Sequence, residues 1–393
     1  MKIRVGLKDG DIMGSTNVAI QAAVDYLAAR GGGTLELGPG RYTMKDSLHL
    51  KSGIRVVGSG PRTILGKCDG PESPLAIDAD YGQLKLTPKR PAGFEVGMGV
   101  SVGDSEGTGW HTSCGTIIEI KRRALYVDRH FVSNYRVERD GYIRNAVAVI
   151  SGVDVEDVAV ENLVVDGNKR NNAPVNGCIA AGIYFCRARR CRVANCTVRN
   201  FNGDGISYQT DQDIHVEKCT VERCTNLGIH PGSGSARTVV RNCVMRSNGN
   251  DGLFLCWRVQ NGLFENCRME GNGRHGISIG HKDTDNLFRN NVMLANGRTG
   301  IFFRPDKASN AGSRNRFENN RIERSGRKHA SGAVEVHPAT KHLVFTANTI
   351  RPGKMGRAGR GQIAAFLLHD GAEKPRLARN KIARHRDGVV ACD

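Results

Sequence analysis

The sequence predicts an all-β chain wound as a right-handed parallel β-helix, with an N-terminal capping helix and a small inserted antiparallel β subdomain. Three observations carry this prediction. Glycine followed by an apolar residue recurs at Gly182-Ile183, Gly205-Ile206, Gly228-Ile229, Gly252-Leu253, Gly276-Ile277 and Gly300-Ile301, in steps of 23, 23, 24, 24 and 24 residues. Half a coil out of phase, Cys196, Cys219, Cys243, Cys267 and Asn291 repeat in steps of 23, 24, 24 and 24, and the series continues through Asn320, Asn348 and Asn380. Between the two ladders, segments such as "RVANCTVRN" and "NRFENNRIER" alternate apolar and polar residues, the period of a half-buried strand.

Each repeat therefore holds short strands joined by turns, with glycine and asparagine expected at positive-φ corners. Stacked coils pair every strand with its neighbours about 4.8 Å away and bury the inward residues. Competing repeats fit poorly: propeller blades need about 40–50 residues, and a leucine-rich repeat would show regular leucines. At the N-terminus Ser15–Arg30 reads as an amphipathic helix with Ile20, Ala23, Val24 and Leu27 on one face, closed by Gly31-Gly32-Gly33. "TLELGPGRY" and "GIRVVGSG" follow as the first strands, so residues 1–83 form the cap and first coils. The ladder is lost across 84–145, where "GFEVGMGVSVGD", "TIIEIKRRALYVD" and "VSNYRVE" read as an inserted antiparallel β subdomain. The main coils then run from 146 to 393.

Composition narrows the classes of function. With 24% charged and 39% hydrophobic residues, and no run of 18 apolar ones, the chain has no membrane-spanning segment. Met1–Gly10 lacks the apolar stretch of a secretory leader, so the sequence as written is expected to be cytoplasmic, or secreted or periplasmic had a leader been trimmed. Four of the twelve cysteines share one phase of the repeat, which predicts a stack of reduced, buried thiols; with no CxxC pair, zinc held by cysteine is not expected. The net charge of +18 is concentrated toward the C-terminus, where residues 321–393 hold 15 Lys and Arg against 6 Asp and Glu. Such an excess attracts polyanions. Nucleic acid is the less favoured partner because no recognition helix, zinc finger or RNA-binding signature occurs.

At this point a resemblance can be named. "STNVAIQAAVDYLAARGGGTLELGPGRY" resembles the cap and first coil of the pectate-lyase-like superfamily, and the two ladders resemble the coils of its polygalacturonases, lyases and mannuronan C5-epimerases, over roughly residues 14–80 and 146–393. The resemblance implies a carbohydrate-active enzyme with a saccharide substrate; it does not choose the reaction.

Aligning the coils by their glycines gathers polar side chains on coils 204–304. Asp204, Leu227, Asp251, His275 and Thr299 stand just before the glycine; Ser207, His230, Phe254, Ser278 and Phe302 two after it; Gln209, Gly232, Cys256, Gly280 and Arg304 four after it. Trp257, Arg258, His281 and Lys282 follow directly. Two chemistries fit. In β-elimination or C5-epimerisation of a uronate, a base removes the proton beside the carboxylate while cations neutralise the developing charge. His230 is then the base, helped by Asp251, and Arg258, His281, Lys282 and Arg304 face the anionic group, with Trp257, His275 and Gln209 completing the substrate site. The segment "GIHPGSGSARTVVRNCVMRSNGNDGL" resembles the one carrying an Asp-Pro-His motif in mannuronan epimerases, but reads His230-Pro231-Gly232 here. In the alternative, inverting hydrolysis, Asp204 and Asp251 act as the paired carboxylates. "NGDG" and "RHGISIG" resemble the Asn-Thr-Asp and Gly-His-Gly motifs of polygalacturonases, yet the Asp-Asp motif is reduced to Asn250-Asp251 and no Arg-Ile-Lys follows. A non-catalytic carbohydrate-binding β-helix is the third reading, against which stands an aromatic content of 6%. No cofactor is required by any of these. Asp283 and Asp285 could hold Ca²⁺ or simply cap a turn, and Asp204 and Asp251 could likewise bond turn amides.

Overall fold

A computed structural model of the chain describes residues 1–107, 109–353 and 361–392; positions 108, 354–360 and 393 of the ranges above lie outside the described residues. The chain divides into two compact units, one of residues 1–185 with 198–207 and the other of 186–197 with 208–393. Among the described residues no helix is long and apolar enough to cross a membrane.

In the N-terminal unit the helix Asn17–Ala29 buries Ile20, Ala23, Val24 and Leu27 against the first strands. It stops where Gly31 and Gly32 turn to φ +87° and +108°, and the Gly32 N–H bonds back to the Leu27 carbonyl at 2.9 Å. The first parallel sheet runs Ile12–Met13, Lys2–Gly6, Gly33–Leu37, Ile54–Val57, Ala159–Glu161. Beside it Gly40–Met44, Thr63–Lys67 and Val164–Asp166 pair in order, as do Leu48–His49 and Ile150–Val153. Strands from before residue 70 thus pair directly with strands after residue 145, so the chain between leaves the stack and returns without interrupting it. That excursion is a six-stranded antiparallel sheet in the order Glu72–Pro74, Tyr142–Arg144, Gly99–Gly103, Ser113–Lys121, Ala124–Val127, Lys85–Leu86. It has its own core of Leu75, Phe94, Val100, Ile117, Leu125, Phe131, Tyr135 and Ile143.

In the C-terminal unit three parallel sheets take one strand each from successive coils. The first contains Arg192–Ala194, His215–Glu217, Val239–Arg241, Leu263–Glu265, Leu287–Arg289, Arg316–Glu318, Val344–Thr346 and Arg376–Ala378. The second runs from Thr220–Glu222 to Lys381–Ile382. The third, which carries the candidate site, contains Ile229–Gly232, Leu253–Phe254, Ile277–Ile279, Ile301–Phe303, Ser331–Val336, Gln362–Leu368 and Val390–Cys392. Identical positions stack inside: Phe264, Phe288, Phe317 and Phe345 lie face to face with centroids 4.9, 4.7 and 4.5 Å apart. Cys196, Cys219, Cys243 and Cys267 are buried and reduced.

Asparagine takes many of the positive-φ corners, as expected, but beside the ladder and not on it. The left-handed residue is the one before each ladder position, as at Asn195, Lys218, Asn242, Asn266, Asn290 and Asn319. The ladder asparagines serve another purpose. Asn320 Nδ2 donates to Asn348 Oδ1 at 3.0 Å and to the Phe288 carbonyl at 2.9 Å, while its own N–H donates to the same Asn348 oxygen at 2.8 Å. Each amide thereby satisfies backbone groups that a buried corner would otherwise strand. The laddered glycines are not in the left-handed region either. A Cβ on Gly228 would lie 2.4 Å from the Gly252 carbonyl oxygen, and one on Gly276 2.6 Å from that of Gly300. Close approach of stacked backbones requires them.

Candidate functional site

Inward isoleucines, leucines and valines at alternate positions of the third sheet force the intervening side chains to the outer face. Register sets Phe254, Ser278, Phe302, Glu335 and Leu367 side by side, with His230 next to Phe254. One step along the same face, the bridge of Gly232 to Cys256 and the registers that follow bring Gly280, Arg304, His337 and His369 into a second row. Asp251, His275 and Thr299 form a third, upstream of the strands.

The third row is a hydrogen-bonded line. Asp251 Oδ1 accepts the His275 N–H at 2.8 Å, His275 Nδ1 accepts the Thr299 N–H at 3.4 Å, and Thr299 Oγ1 donates to Glu335 Oε2 at 3.0 Å. Both titratable members are sealed, Asp251 at 2% exposure and His275 at 2%. Burial pushes the Asp251 carboxyl up to about 6, although the His275 amide and the Arg274, Arg304 and Arg298 charges act the other way. The same burial, helped by Arg274, Arg298 and Arg304, drives the His275 imidazole down to about 3. His275 is therefore neutral, stacked on Phe302 at 4.3 Å, with its accepting Nδ1 placing the proton on Nε2.

In the first two rows His230 stands edge-on to Phe254, centroids 5.3 Å apart, and the Arg304 guanidinium lies 4.3 Å from the centre of the same ring. Arg304 also donates to Ser278 Oγ at 2.9 Å, the Leu255 carbonyl at 2.6 Å and Asp283 Oδ2 at 3.2 Å. Gln209 is buried against Gly232, where a Cβ would come 2.3 Å from its amide oxygen. Four residues expected at a substrate site share the corner beyond the sheet. Trp257, Arg258, His281 and Lys282 all have left-handed φ, 65°, 66°, 47° and 63°, an unusual run for large side chains. The corner turns them outward: Trp257 is 46% exposed and stacks on His281 at 4.9 Å, and Arg258 lies 5.9 Å from the Trp257 ring centre. His281 Nδ1 contacts the Asp306 carboxylate. Arg258 and Lys282 have no carboxylate partner among the described residues.

Three further sequence candidates are held by local contacts or burial. Asp204 is fully buried in the N-terminal unit. Asp283 caps turns, accepting from the Val259 and Gly280 amides at 3.0 and 2.9 Å, and burial lifts it to about 7. Asp285 is forked to Arg314 at 2.8 and 2.7 Å. Missing from the sequence reading are Glu335, His337 and His369, which extend the rows beyond residue 304. Their signal was "AVEVHP" and "AFLLHD", where a histidine directly follows a strand, but longer loops hid the phase.

A family model for the right handed beta helix region matches residues 181–350. No curated protein matches the sequence. Among solved structures, the A-module of a mannuronan C-5 epimerase of Azotobacter vinelandii is 16% identical, with 98% of this chain and 97% of that one covered and a TM-score of 0.61. The catalytic domain of a GH87 α-1,3-glucanase in complex with nigerose is 11% identical over 94% of this chain and 64% of that one, TM-score 0.57. The Dettilon tailspike protein is 14% identical over 97% and 68%, TM-score 0.54. These likenesses are of fold, and the fold is that of a right-handed parallel β-helix.

Proposed function

We propose that the protein is a carbohydrate-active enzyme that removes the C5 proton of a uronate in a saccharide, leading to β-elimination or C5-epimerisation. The observation that carries the reading is the corner of Trp257, Arg258, His281 and Lys282. An exposed indole offers a flat apolar face to a sugar ring. Two cations beside it without a carboxylate partner among the described residues repel each other unless a ligand's negative charge sits between them.

In this reading His230 takes the proton from C5, and the electron pair of the broken C–H bond enters the system stabilised by the adjacent carboxylate. Arg304, which packs on the same Phe254 ring as His230, and Arg258 and Lys282 at the corner neutralise that charge. The pair then either expels the C4 oxygen, leaving a C4–C5 double bond, or recaptures a proton on the opposite face. That proton comes from water, because Asp251, raised to about 6 and so partly protonated in mildly acidic solution, is sealed beneath the coils. The same raised carboxyl is what an inverting hydrolase asks of its acid, which keeps hydrolysis as the second reading. Structural likeness to the epimerase A-module and the glucanase domain supports a saccharide substrate without choosing between them.

The test is a polysaccharide panel read two ways, by the ultraviolet absorbance of unsaturated uronates and by reducing ends. His230→Ala should abolish activity while Asp204→Asn retains most of it. The opposite pattern indicates hydrolysis, and full activity in both variants puts the site elsewhere.

A further inference from the structure

Beyond the reacting face, the last coils of the C-terminal unit bring together two imidazoles and a carboxylate whose ligand atoms converge. Glu335 and His337 lie two residues apart and so point to the same face, while His369 occupies the paired position on the next coil. Glu335 Oε1 is 2.9 Å from His369 Nε2 and 3.5 Å from His337 Nε2, and the three atoms all lie within 4.8 Å of one another. We propose that Glu335, His337 and His369 bind a divalent transition-metal ion, zinc being the best match to the donor set. This inference goes beyond the uronate reading and does not depend on it.

Geometry and chemistry agree on the ion. Ligands held at about 2.0–2.1 Å on a tetrahedral centre are separated by about 3.3 Å, the scale of the two measured distances. Two imidazoles with one carboxylate suit zinc and its transition-metal neighbours; calcium prefers an all-oxygen shell of higher number. Three protein ligands leave a fourth position open, the pattern of a reactive rather than a closed structural site. All three residues are half-buried, so the ion has a route in.

A supporting shell is already formed. Thr299 Oγ1 donates to Glu335 Oε2, which fixes the carboxylate and turns Oε1 toward the imidazoles. The His337 and His369 rings stack at 3.8 Å with 9° between planes, so one imidazole must turn about its χ2 bond for both in-plane lone pairs to meet one ion, while Phe302 meets His337 edge-on at 5.4 Å. The other grouping of this kind among the described residues, Asp104 with Glu106 and His111, is spoken for. Asp104 accepts from the Glu106 and Arg136 amides, Glu106 pairs with Arg139, and His111 Nε2 bonds Ser133 Oγ.

The experiment is equilibrium dialysis of the chelator-stripped full-length protein against Zn²⁺ and, separately, Co²⁺. One equivalent should be lost in both His337→Ala and His369→Ala, and Thr299→Val should weaken it by about 10-fold or more. The Co²⁺ spectrum of that equivalent should lack thiolate charge-transfer bands, since twelve cysteines offer a rival set. Unchanged stoichiometry and affinity in both histidine variants would overturn the proposal. If either variant fails to fold, X-ray absorption of wild-type protein loaded with one equivalent of Zn²⁺ decides. A shell of imidazole nitrogen and oxygen at about 2.0–2.1 Å supports the site, and sulfur at about 2.3 Å refutes it.

Discussion

Asp251 and His275 are neighbours sealed by the same coils, and burial moves them in opposite directions because it disfavours whichever form is charged. The consequences for stability follow in sign. Asp251 binds its proton more tightly in the fold than in the unfolded chain, so its contribution is complete near pH 4 and lost as pH rises through about 6. For His275, depressed to about 3, the contribution is present above the ordinary histidine range and lost as pH falls through about 3. Asp251→Asn, which keeps an oxygen for the His275 amide, should therefore stabilise the protein more at pH 8 than at pH 4, by on the order of 2 kcal/mol. Urea denaturation at the two pH values measures this. These residues also show what a single sequence conveys at this scale. Their phase was legible from the glycine ladder, but their burial was not. With strands about 4.8 Å apart, an aromatic ring covers a side chain on the next coil, Phe254 beside His230 and Phe302 on His275, and outward phase ceases to mean exposure.

At the scale of the element, two ladders do different jobs. The glycine ladder makes room: Gly276→Ala should cost about 1–3 kcal/mol, since the new methyl meets a backbone carbonyl that cannot step aside. The asparagine ladder satisfies buried corners: Asn320→Ala should cost about 1–3 kcal/mol by stranding its partners on both sides. Thermal or urea unfolding of the two variants checks both figures. Stacked coils, inward apolar strands and the capping helix were legible because each coil repeats the same solution. The third sheet past Arg304 was not. Lengthening a surface loop costs little, so the steps grow to 29, 28 and 32 residues and the alignment of His337 and His369 is lost to counting. The left-handed corner of Trp257 and Arg258 escaped for a different reason: nothing in the local sequence requires large residues to adopt it, and the stacking that holds it comes from the adjacent coil.

Over the whole molecule the net charge of +18 is less available than it looks. Much of the arginine on the outer faces is tied down by glutamates: across coils Glu217 holds Arg192 and Arg241, Glu222 holds Arg246 and Glu265 holds Arg289, and within its own coil Glu222 also holds Arg223. The arginines lie at the surface over largely buried glutamates, and each pair removes a cation from the pool that can meet a polyanion. Arg258 and Lys282 stand outside that pattern. Saccharide binding should accordingly weaken as salt rises, and Arg258→Ala should remove part of that salt dependence, whereas Trp257→Ala should weaken binding at every ionic strength; calorimetric titrations at low and high salt separate the two. Elimination and epimerisation share one step, the loss of the C5 proton. A uronate polymer labelled with tritium at C5 should release its label to water when treated with the protein, and His230→Ala should stop that release. Cleavage of the polymer into new reducing ends with the C5 label fully retained would rule out C5 proton removal and leave hydrolysis.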